Sequence, residues 1–164
     1  MSDGVFKRKW GTYGVGDGEF DAPRGLAIFG SEVFVADTGN HRIQVFDLDG
    51  VFKRKWGTYG VADGEFDNPH GVVVSGSEVF VTDNNNNRIQ VFGLKGVFKR
   101  KWGNYGVGDG ELDSPLDITI SGLEIFVAEG NSSRIQVFGP EAAVGGMLSS
   151  MKSQLLSSLS PPRR

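Results

Sequence analysis

The sequence predicts an all-β fold, and three of its features lead to this prediction. The motif VFKRKW begins at Val5 and recurs at Val51 and Val97, so the 164-residue chain repeats with a period of 46. Each period contains short apolar runs that are separated by glycine, asparagine and aspartate. The chain has 25 glycines and 12 phenylalanines, and only 38% of its residues are hydrophobic, a composition typical of short aromatic strands joined by tight turns. A helical bundle is therefore disfavoured.

Turn residues divide each period into four runs, which we predict to be strands. In the first period the runs are residues 25–29, 32–36, 42–46 and 51–56. Val33, Phe34 and Val35 follow one another without a polar residue, as expected for a sheet that packs on both faces. Four strands in a repeat of this length predict one β-propeller blade per repeat. We therefore divide the propeller segment, residues 1–139, into three units at about 11–56, 57–102 and 103–138.

Inside each unit the motif order resembles that of the NHL repeat. In the first unit GVGDGEFDAP precedes the inner strand and VFVADTGNHRIQVF follows it. The likeness extends from about residue 5 to residue 138 and weakens in the third unit, where Asp117 replaces the glycine found at Gly25 and Gly71. The resemblance implies a β-propeller with four-stranded NHL-type blades, and propellers of this family mostly have six of them.

The two ends of the repeat array differ in a way that predicts strand exchange. Residues 5–10 have the sequence of an outermost strand, whereas the third unit has none after residues 134–138. We therefore expect residues 5–10 to close the last blade. Because propellers need about 4–8 blades, we expect two chains to exchange this strand in a homodimer, a six-bladed ring without free sheet edges. A fragment of a longer protein, or an open array of three blades, would have the same sequence.

The composition changes after Pro140. Residues 140–164 are rich in serine and contain no aromatic residue. Their apolar residues are spaced by three and four, as in an amphipathic helix: Val144, Met147, Leu148, Met151, Leu155 and Leu159. We predict a short C-terminal tail that is either helical or disordered.

Few residues of the chain fit catalytic or metal chemistry. It has no cysteine, and its two histidines, His41 and His70, fall in different loops. The motifs of serine hydrolases, zinc proteases and phosphate-binding loops are missing. We therefore predict a protein that is not an enzyme and that uses neither a metal nor another cofactor.

The net charge and the hydropathy of the chain limit the partners and the cellular location that we expect. The net charge of −3 disfavours nucleic acid, whose binders usually have a basic excess. No segment approaches the roughly 20 apolar residues of a membrane helix, and no apolar signal sequence precedes the charges of residues 7–9. We expect a cytoplasmic protein without a membrane role.

Two charged motifs recur in every unit. The acidic motif that begins at Asp17, Asp-Gly-Glu-Phe-Asp, either shapes the loop between blades or holds Ca²⁺. The basic triplet of residues 53–55 either protects an outer sheet edge or forms a basic belt for an acidic partner or nucleic acid. Asp37 and Arg42, which flank a turn, likewise either brace adjacent blades or face a ligand.

Differences among the units are the best signal of a binding site. Positions that vary within a repeated frame are those that the frame does not dictate, and binding residues concentrate on loops of a rigid scaffold. The variable positions follow the loop that opens each inner strand or lie in the turn after the second strand: Arg24, His70, Leu116, Thr38, Asn40, His41, Asn84, Asn85, Asn86, Asn87 and Asn131. Surface variation without function is the alternative explanation.

We predict a non-enzymatic protein–protein interaction scaffold whose variable loop face binds a protein or peptide. The resemblance adds two alternatives, RNA binding through a basic loop face and substrate recruitment for ubiquitin ligases of the tripartite-motif type. The acidic loops argue against RNA, and the chain has no RING cysteines of its own. A link to ubiquitination would therefore require a partner.

Overall fold

A computed structural model of the protein describes residues 4–139, and over that range the chain is built from β-strands. A short parallel pair, β1 (Thr12–Tyr13) and β2 (Glu19–Phe20), precedes the first blade. Blade 1 is an antiparallel meander of four strands: β3 (Pro23–Phe29), β4 (Glu32–Asp37), β5 (Arg42–Asp47) and β6 (Phe52–Trp56). One turn of 3-10 helix, Thr38–Asn40, joins β4 to β5. The all-β prediction is confirmed.

The next two units repeat this order. Blade 2 consists of β7 (Pro69–Ser75), β8 (Glu78–Asp83), β9 (Arg88–Gly93) and β10 (Phe98–Trp102). Blade 3 consists, within the described range, of β11 (Pro115–Ser121), β12 (Glu124–Glu129) and β13 (Arg134–Phe138). The inner strands of successive blades are neighbours, β3 beside β7 and β7 beside β11. The prediction of a β-propeller fold with four-stranded blades is confirmed.

Glycine closes the hairpins at the outer ends of the inner strands. Phe29 pairs with Glu32 across a two-residue turn, and Gly30 in that turn has a φ of 58°. This left-handed conformation is strained for residues that have a β-carbon and is readily adopted by glycine. The turn sets the register of β3 against β4. The start of β3, at Pro23, therefore lies at the end of the hairpin that is remote from this turn.

Two of the three hydrophobic clusters among the described residues lie between blades. Phe34 and Ile43 of blade 1 pack against Val72 of blade 2, and Phe80 of blade 2 packs against Ile118 of blade 3 in the same way. Burial of one such side chain stabilises the fold by about 1.5–3 kcal/mol relative to its exposure to water. The middle strands of blades 1 and 2 are buried on both faces, as their unbroken apolar runs predict.

The observed strands differ from the predicted ones at their ends. The inner strand of blade 1 begins two residues early, at Pro23, and the outer strand begins one residue late, at Phe52. Residues 5–10 are not a strand in the single chain, so their exchange remains a prediction. The predicted tail, residues 140–164, lies outside the described residues. Over residues 4–139, no helix has the length and apolar character needed to cross a membrane.

Candidate functional site

The inner strand of every blade starts with an irregular segment. In blade 1 the pairing register with β4 shifts between Pro23 and Leu26, and Arg24 and Gly25 lie within this shift. The same irregularity follows Pro69 in blade 2 and Pro115 in blade 3. Because the inner strands are neighbours, the three irregular segments converge on one region of the molecule.

Glycine at the second position of this segment lets the inner strands approach one another. A β-carbon on Gly25 would overlap the carbonyl oxygen of His70, and one on Gly71 would lie 3.0 Å from the Cα atom of Asp117. The third unit has Asp117 at this position, and its Oδ1 accepts the N–H of Ile118 at 2.9 Å. The frame therefore brings three backbones together and leaves one carboxylate beside them.

A cavity of about 310 Å³ lies where these segments converge. Its lining residues are the first and second positions of the three segments: Arg24, Gly25, His70, Gly71, Leu116 and Asp117. The side chains of Arg24, Leu116 and Asp117 are exposed, whereas His70 is half-buried. Three of the predicted binding residues, one from each blade, thus meet at one site. We name this the inner-strand cavity.

The electrostatics of the inner-strand cavity depend on two neighbouring blades. Burial lowers the pKa of the His70 imidazole below its usual value of 6.5, and the positive charge of Arg24 lowers it further. A neutral imidazole offers one N–H donor and one nitrogen acceptor, while the Arg24 guanidinium offers fixed positive charge and several donors. The cavity can therefore hold a carboxylate or carbonyl group at Arg24 and an apolar group at Leu116.

Two of the predicted binding residues in the turns lie inside the molecule. Thr38 and Asn84 occupy equivalent turn positions, and both are buried. Thr38 Oγ1 donates to the carbonyl oxygen of Pro69 at 2.7 Å, and Asn84 Nδ2 donates to that of Pro115 at 3.0 Å. Each side chain thereby links its own blade to the next blade.

Asn40 and Asn86 make hydrogen bonds within their own units. Asn40 Nδ2 donates to the carbonyl oxygen of Gly14 at 2.9 Å and to Asp37 Oδ2 at 3.0 Å. Asn86 makes the equivalent bonds in blade 2. These amide groups hold the loop before the blade against the turn within it, which accounts for their polarity without a ligand.

His41 and Asn87 join neighbouring units. His41 Nδ1 accepts the N–H of Asn68 at 3.1 Å, and the ring centroid lies 4.9 Å from that of Tyr59. Asn87 Oδ1 accepts the N–H of Ser114 at 2.8 Å. Both side chains bind a backbone amide about half a repeat further along the chain, in the loop that opens the next inner strand.

Asn85 and Asn131 are the exposed members of the predicted set in the turns. Asn85 Nδ2 donates to Asp67 Oδ1 at 3.1 Å, and Asn131 Nδ2 donates to Asp113 Oδ1 at 3.0 Å. Both bonds lie in solvent, where they exchange readily with bonds to water or to a ligand. These two residues therefore extend the accessible loop face beyond the inner-strand cavity.

Asp37 and Arg42 brace the loop that precedes their blade. Arg42 Nε donates to Asp37 Oδ2 at 2.7 Å, and its two Nη atoms donate to the carbonyl oxygens of Val15 and Gly16 at 2.8 Å. Asp37 Oδ1 accepts the N–H of Asp21. Of the two interpretations of this pair, the bracing one accounts for these bonds, although the brace reaches a loop of its own unit and not the adjacent blade.

The equivalent acid of blade 2, Asp83, is a buried carboxyl with a raised pKa. Burial raises the pKa of the Asp83 carboxyl above its usual value of 3.8, against the opposing effect of hydrogen bonds from the Asp67 amide, Asn86 and Arg88. The carboxyl is thus deep in the protein and engaged on several sides. It serves the frame and has no free oxygen directed at the inner-strand cavity.

The repeated acidic and basic motifs pair with each other at the outer rim. Lys55 Nζ lies 2.6 Å from Asp17 Oδ1, and Arg54 forms two hydrogen bonds of 2.8 and 2.6 Å with Glu32. Arg54 also stacks over Phe34, 5.6 Å from the ring centroid. Much of the rim charge is therefore internally neutralised.

The glutamate of the loop motif, the second of its three acids, shapes its own turn. Glu19 Oε2 accepts the N–H of Gly16 at 2.8 Å, and Glu111 Oε2 accepts that of Gly108 at 2.9 Å. Across residues 4–139, no three histidine, aspartate or glutamate side chains are grouped so that they could hold a metal ion.

Asp117 is the charged residue of the inner-strand cavity that the predicted set does not contain. Its signal in the sequence is the replacement of a glycine that the other two units share. A replaced glycine does not by itself show where the new side chain lies, because that depends on the neighbouring blades.

Two of the three repeated units match a known repeat family. The NHL repeat family model matches residues 20–46 and 66–92, which extend from the loop before the inner strand through the third strand in blades 1 and 2. The B-box type zinc finger protein ncl-1 of Caenorhabditis elegans is 50% identical over 44 residues, which are 26% of this chain and 5% of that protein. Protein brain tumor of Drosophila melanogaster is 46% identical over 44 residues, 26% of this chain and 4% of that protein. The chain thus spans a small fraction of the length of these relatives.

Two solved structures are similar in fold. A chain in the crystal structure of a nidogen/laminin complex superposes with a TM-score of 0.58 at 21% identity, covering 74% of this chain and 45% of that one. The glutaminyl cyclase of Myxococcus xanthus superposes with a TM-score of 0.56 at 12% identity, covering 85% of this chain and 59% of that one. At these identities the likeness concerns the fold alone.

Proposed function

Because this chain is an NHL-repeat protein, we propose that it is a non-enzymatic interaction module that binds a protein or peptide at the inner-strand cavity. The observation that carries the proposal is the meeting of Arg24, His70 and Leu116 around one cavity. These residues occupy the same position of three nearly identical units, where the frame would permit three identical residues. A rigid scaffold that presents different side chains at equivalent positions is typical of a binding surface.

The chemistry of the lining favours a peptide with an acidic and an apolar side chain. Arg24 is exposed and has no carboxylate within ion-pair distance among the described residues, so it can pair with a carboxylate of the ligand. Leu116 is 39% exposed and offers an apolar contact. Asp117 would repel a second acidic group and thereby set the order of charges along the peptide.

The charges of the loops and of the rim argue against RNA as the ligand. The rim cations of blades 1 and 2 that the basic triplets supply are paired with carboxylates, as in Lys53 with Glu32 and Lys101 with Asp63. Three further loop acids stand beside the inner strands: Asp21, Asp67 and Asp113. Phosphate binding needs uncompensated cations, which this arrangement does not concentrate at the cavity.

Recruitment of a substrate to a ubiquitin ligase is a finer version of the same proposal. The relative ncl-1 is named for a B-box zinc finger, whereas the present chain has no cysteine. Such a role would use the cavity in the same way, with the ligase supplied by a partner.

The test is selection of ligands by the full 164-residue chain from a random peptide library. We expect enriched peptides to share an acidic and an apolar position. The Kd of a synthetic peptide with the enriched sequence, measured by fluorescence anisotropy, should rise about tenfold for Arg24→Ala and for Leu116→Ala, in the range of binding hot spots. Lys95→Ala is the matched control, because Lys95 is exposed and lies outside the cavity lining.

Two results would contradict the proposal. One is equal affinity of the enriched peptide for the protein and for both cavity variants. The other is tight binding of a fluorescent single-stranded RNA that weakens steeply between about 50 and 200 mM salt, as phosphate-driven binding does. Thermal unfolding of each variant checks its fold, and we expect little change because Arg24 and Leu116 are exposed.

A further inference from the structure

The two ends of the three-blade stack expose apolar positions that are buried at the internal junctions. At the junction of blades 1 and 2, Ile43 and Val45 are fully buried and pack against Val72, which is 5% exposed. Their equivalents in blade 3, Ile135 and Val137, are 63% and 51% exposed. The blade 3 end thus presents one half of a junction.

The other half of that junction is exposed on blade 1. Leu26, the equivalent of Val72, is 64% exposed. Phe20 is only partly buried, whereas its equivalent Phe66 is fully buried between blades 1 and 2. The two exposed faces are therefore equivalent to the two surfaces that pack against each other at both internal junctions of the chain. Because the units repeat, the two exposed faces are complementary to each other.

Residues 5–10 occupy the place of an outer strand from a blade that would precede blade 1. Trp10 packs on Phe46, with ring centroids 6.3 Å apart, as Trp56 of β6 packs on Phe92 of the next blade at 5.7 Å. Arg8 Nη2 donates to the carbonyl oxygen of Leu48 at 2.9 Å. Residues 5–10 nevertheless pair with no strand of the described chain.

Arg8 and Trp10 make the same contacts as their equivalents in the outer strand β6. In β6, Arg54 Nη2 donates to the carbonyl oxygen of Leu94 in the next blade at 2.7 Å. A β-carbon on Gly96 would lie 2.6 Å from the Trp56 ring, and one on Gly50 would lie 2.6 Å from the Trp10 ring. Residues 5–10 therefore make the contacts with the next blade that β6 makes. Among the described residues they lack the neighbouring strand with which β6 pairs.

Within residues 4–139, blade 3 has neither the matching strand nor its ion pairs. In blade 1, β6 brings Arg54 to Glu32 and Lys55 to Asp17, and β10 does the same for the equivalent residues of blade 2. In blade 3 the equivalent acids are Glu124 and Asp109, and within residues 4–139 neither has an ion pair with a strand residue of its own blade. The outer edge of β13 is likewise unpaired among the described residues.

We propose that two copies of this chain pair reciprocally, residues 5–10 of each forming the fourth strand of blade 3 in the other. The register follows from β5 and β6, where Ile43 pairs with Trp56 and Gln44 with Lys55. Its counterpart sets Ile135 against Trp10, Gln136 against Lys9 and Val137 against Arg8 of the second copy. The pairing also brings Arg8 to Glu124, Lys9 to Asp109 and Leu26 to Ile135, always between copies. This association is independent of the ligand of the inner-strand cavity.

Asp117 makes the two new junctions different from the internal ones. Gly25 faces the backbone of the next blade too closely for a side chain, and a β-carbon on Gly71 would make a tight contact with the backbone of Asp117, whereas Asp117 itself has a β-carbon at the equivalent place. The inner strands of blade 3 and of the second copy's blade 1 must therefore stand further apart. The closed assembly has two-fold symmetry, with two wide junctions, and each copy contributes both of its exposed faces.

Light scattering coupled to size exclusion tests the stoichiometry of the full chain. We expect a single species of twice the 17.7 kDa chain mass, which persists on dilution to about micromolar concentration. A monomer at about 100 μM would overturn the proposal, and so would an open series of larger oligomers, which indicates contacts that do not close.

Cysteine cross-linking tests the register, because the chain has no native cysteine. A mixture of Lys9→Cys and Gln136→Cys proteins should form a disulfide-linked heterodimer on oxidation, since residues opposite each other on paired strands have the required separation. The matched control is Lys95→Cys in place of Lys9→Cys, which should give at least tenfold less heterodimer with Gln136→Cys. Equal cross-linking by both cysteines, or none by either, would overturn the register.

A charge exchange provides a second variant that does not depend on cysteine. Arg8→Glu and Glu124→Arg should each raise the dimer Kd about tenfold, and the protein with both changes should recover most of that loss, as a direct pair does in a double-mutant cycle. Circular dichroism checks that each variant remains folded. Additive losses without recovery would contradict the contact between Arg8 and Glu124.

Discussion

Arg42 Nε lies 2.7 Å from Asp37 Oδ2, and both side chains are shielded from solvent, the carboxylate completely. The same relationship recurs between Arg88 and Asp83 at 2.7 Å. In each blade this pair fastens the long loop before the inner strand to the turn after the second strand. In blade 1 it therefore anchors the loop that leads into β3, the strand on which Arg24 and Gly25 line the inner-strand cavity.

Removal of the carboxylate charge at this site should destabilise the protein strongly. Asp37→Asn leaves the Arg42 guanidinium buried without its counter-charge, and we expect a loss of about 3–5 kcal/mol in the free energy of unfolding. Urea unfolding measures the loss. The control is Asp17→Asn, which removes a half-exposed partner of Lys55 and should cost less than about 1 kcal/mol. Similar losses in the two variants would contradict the role of burial.

The close approach of the inner strands predicts a second stability effect. Gly25→Ala places a β-carbon against the carbonyl oxygen of His70, and we expect the free energy of unfolding to fall by about 1–3 kcal/mol, as for other overpacked sites. Gly93→Ala is the matched control, because its nearest contact would be 3.6 Å from Lys99. A stable Gly25→Ala protein would show that the strands can separate without cost.

Acid should remove the contribution of the Glu32 ion pair to stability. Hydrogen bonds from Arg54 lower the pKa of Glu32 from 4.5 to about 2. The folded state thus holds this proton less tightly than the unfolded state, so the contribution is complete above about pH 4.5 and is lost as the pH falls toward 2. The stability difference between the wild-type protein and Glu32→Gln, measured by urea unfolding, should shrink over this window. A constant difference would indicate that Glu32 has an ordinary pKa.

The pKa of His70 depends on the positive charge that Arg24 places in the inner-strand cavity. Burial and Arg24 lower the pKa of His70, so protonation below about pH 6.5 favours the unfolded state and removes stability as the pH falls. With two histidines in the chain, proton NMR can follow each ring. Arg24→Ala should raise the pKa of His70 and leave it below 6.5, because burial remains.

An unchanged His70 pKa in Arg24→Ala would show that the two side chains do not share the cavity. Lys95→Ala is again the control, because it removes one positive charge from an exposed position that does not line the cavity.

The sequence by itself determined the repeat, the strands of each blade and the blade size, because these depend on local chemistry. Turn glycines such as Gly30 and the apolar runs of β4 and β8 act over a few residues. The likeness of three units also identified Arg24, His70 and Leu116 as positions that the frame leaves open. These parts of the prediction needed no knowledge of how the blades pack.

Only the tertiary structure decided which variable residues face solvent. Thr38 and Asn85 vary in the same way among the units, yet Thr38 is buried by a bond to Pro69, 31 residues away, and Asn85 is exposed. The pairing of charges also depends on the tertiary structure, since Lys55 pairs with Asp17, which is 38 residues away in the sequence. Contacts between blades decide both outcomes, and they join residues that no local pattern connects.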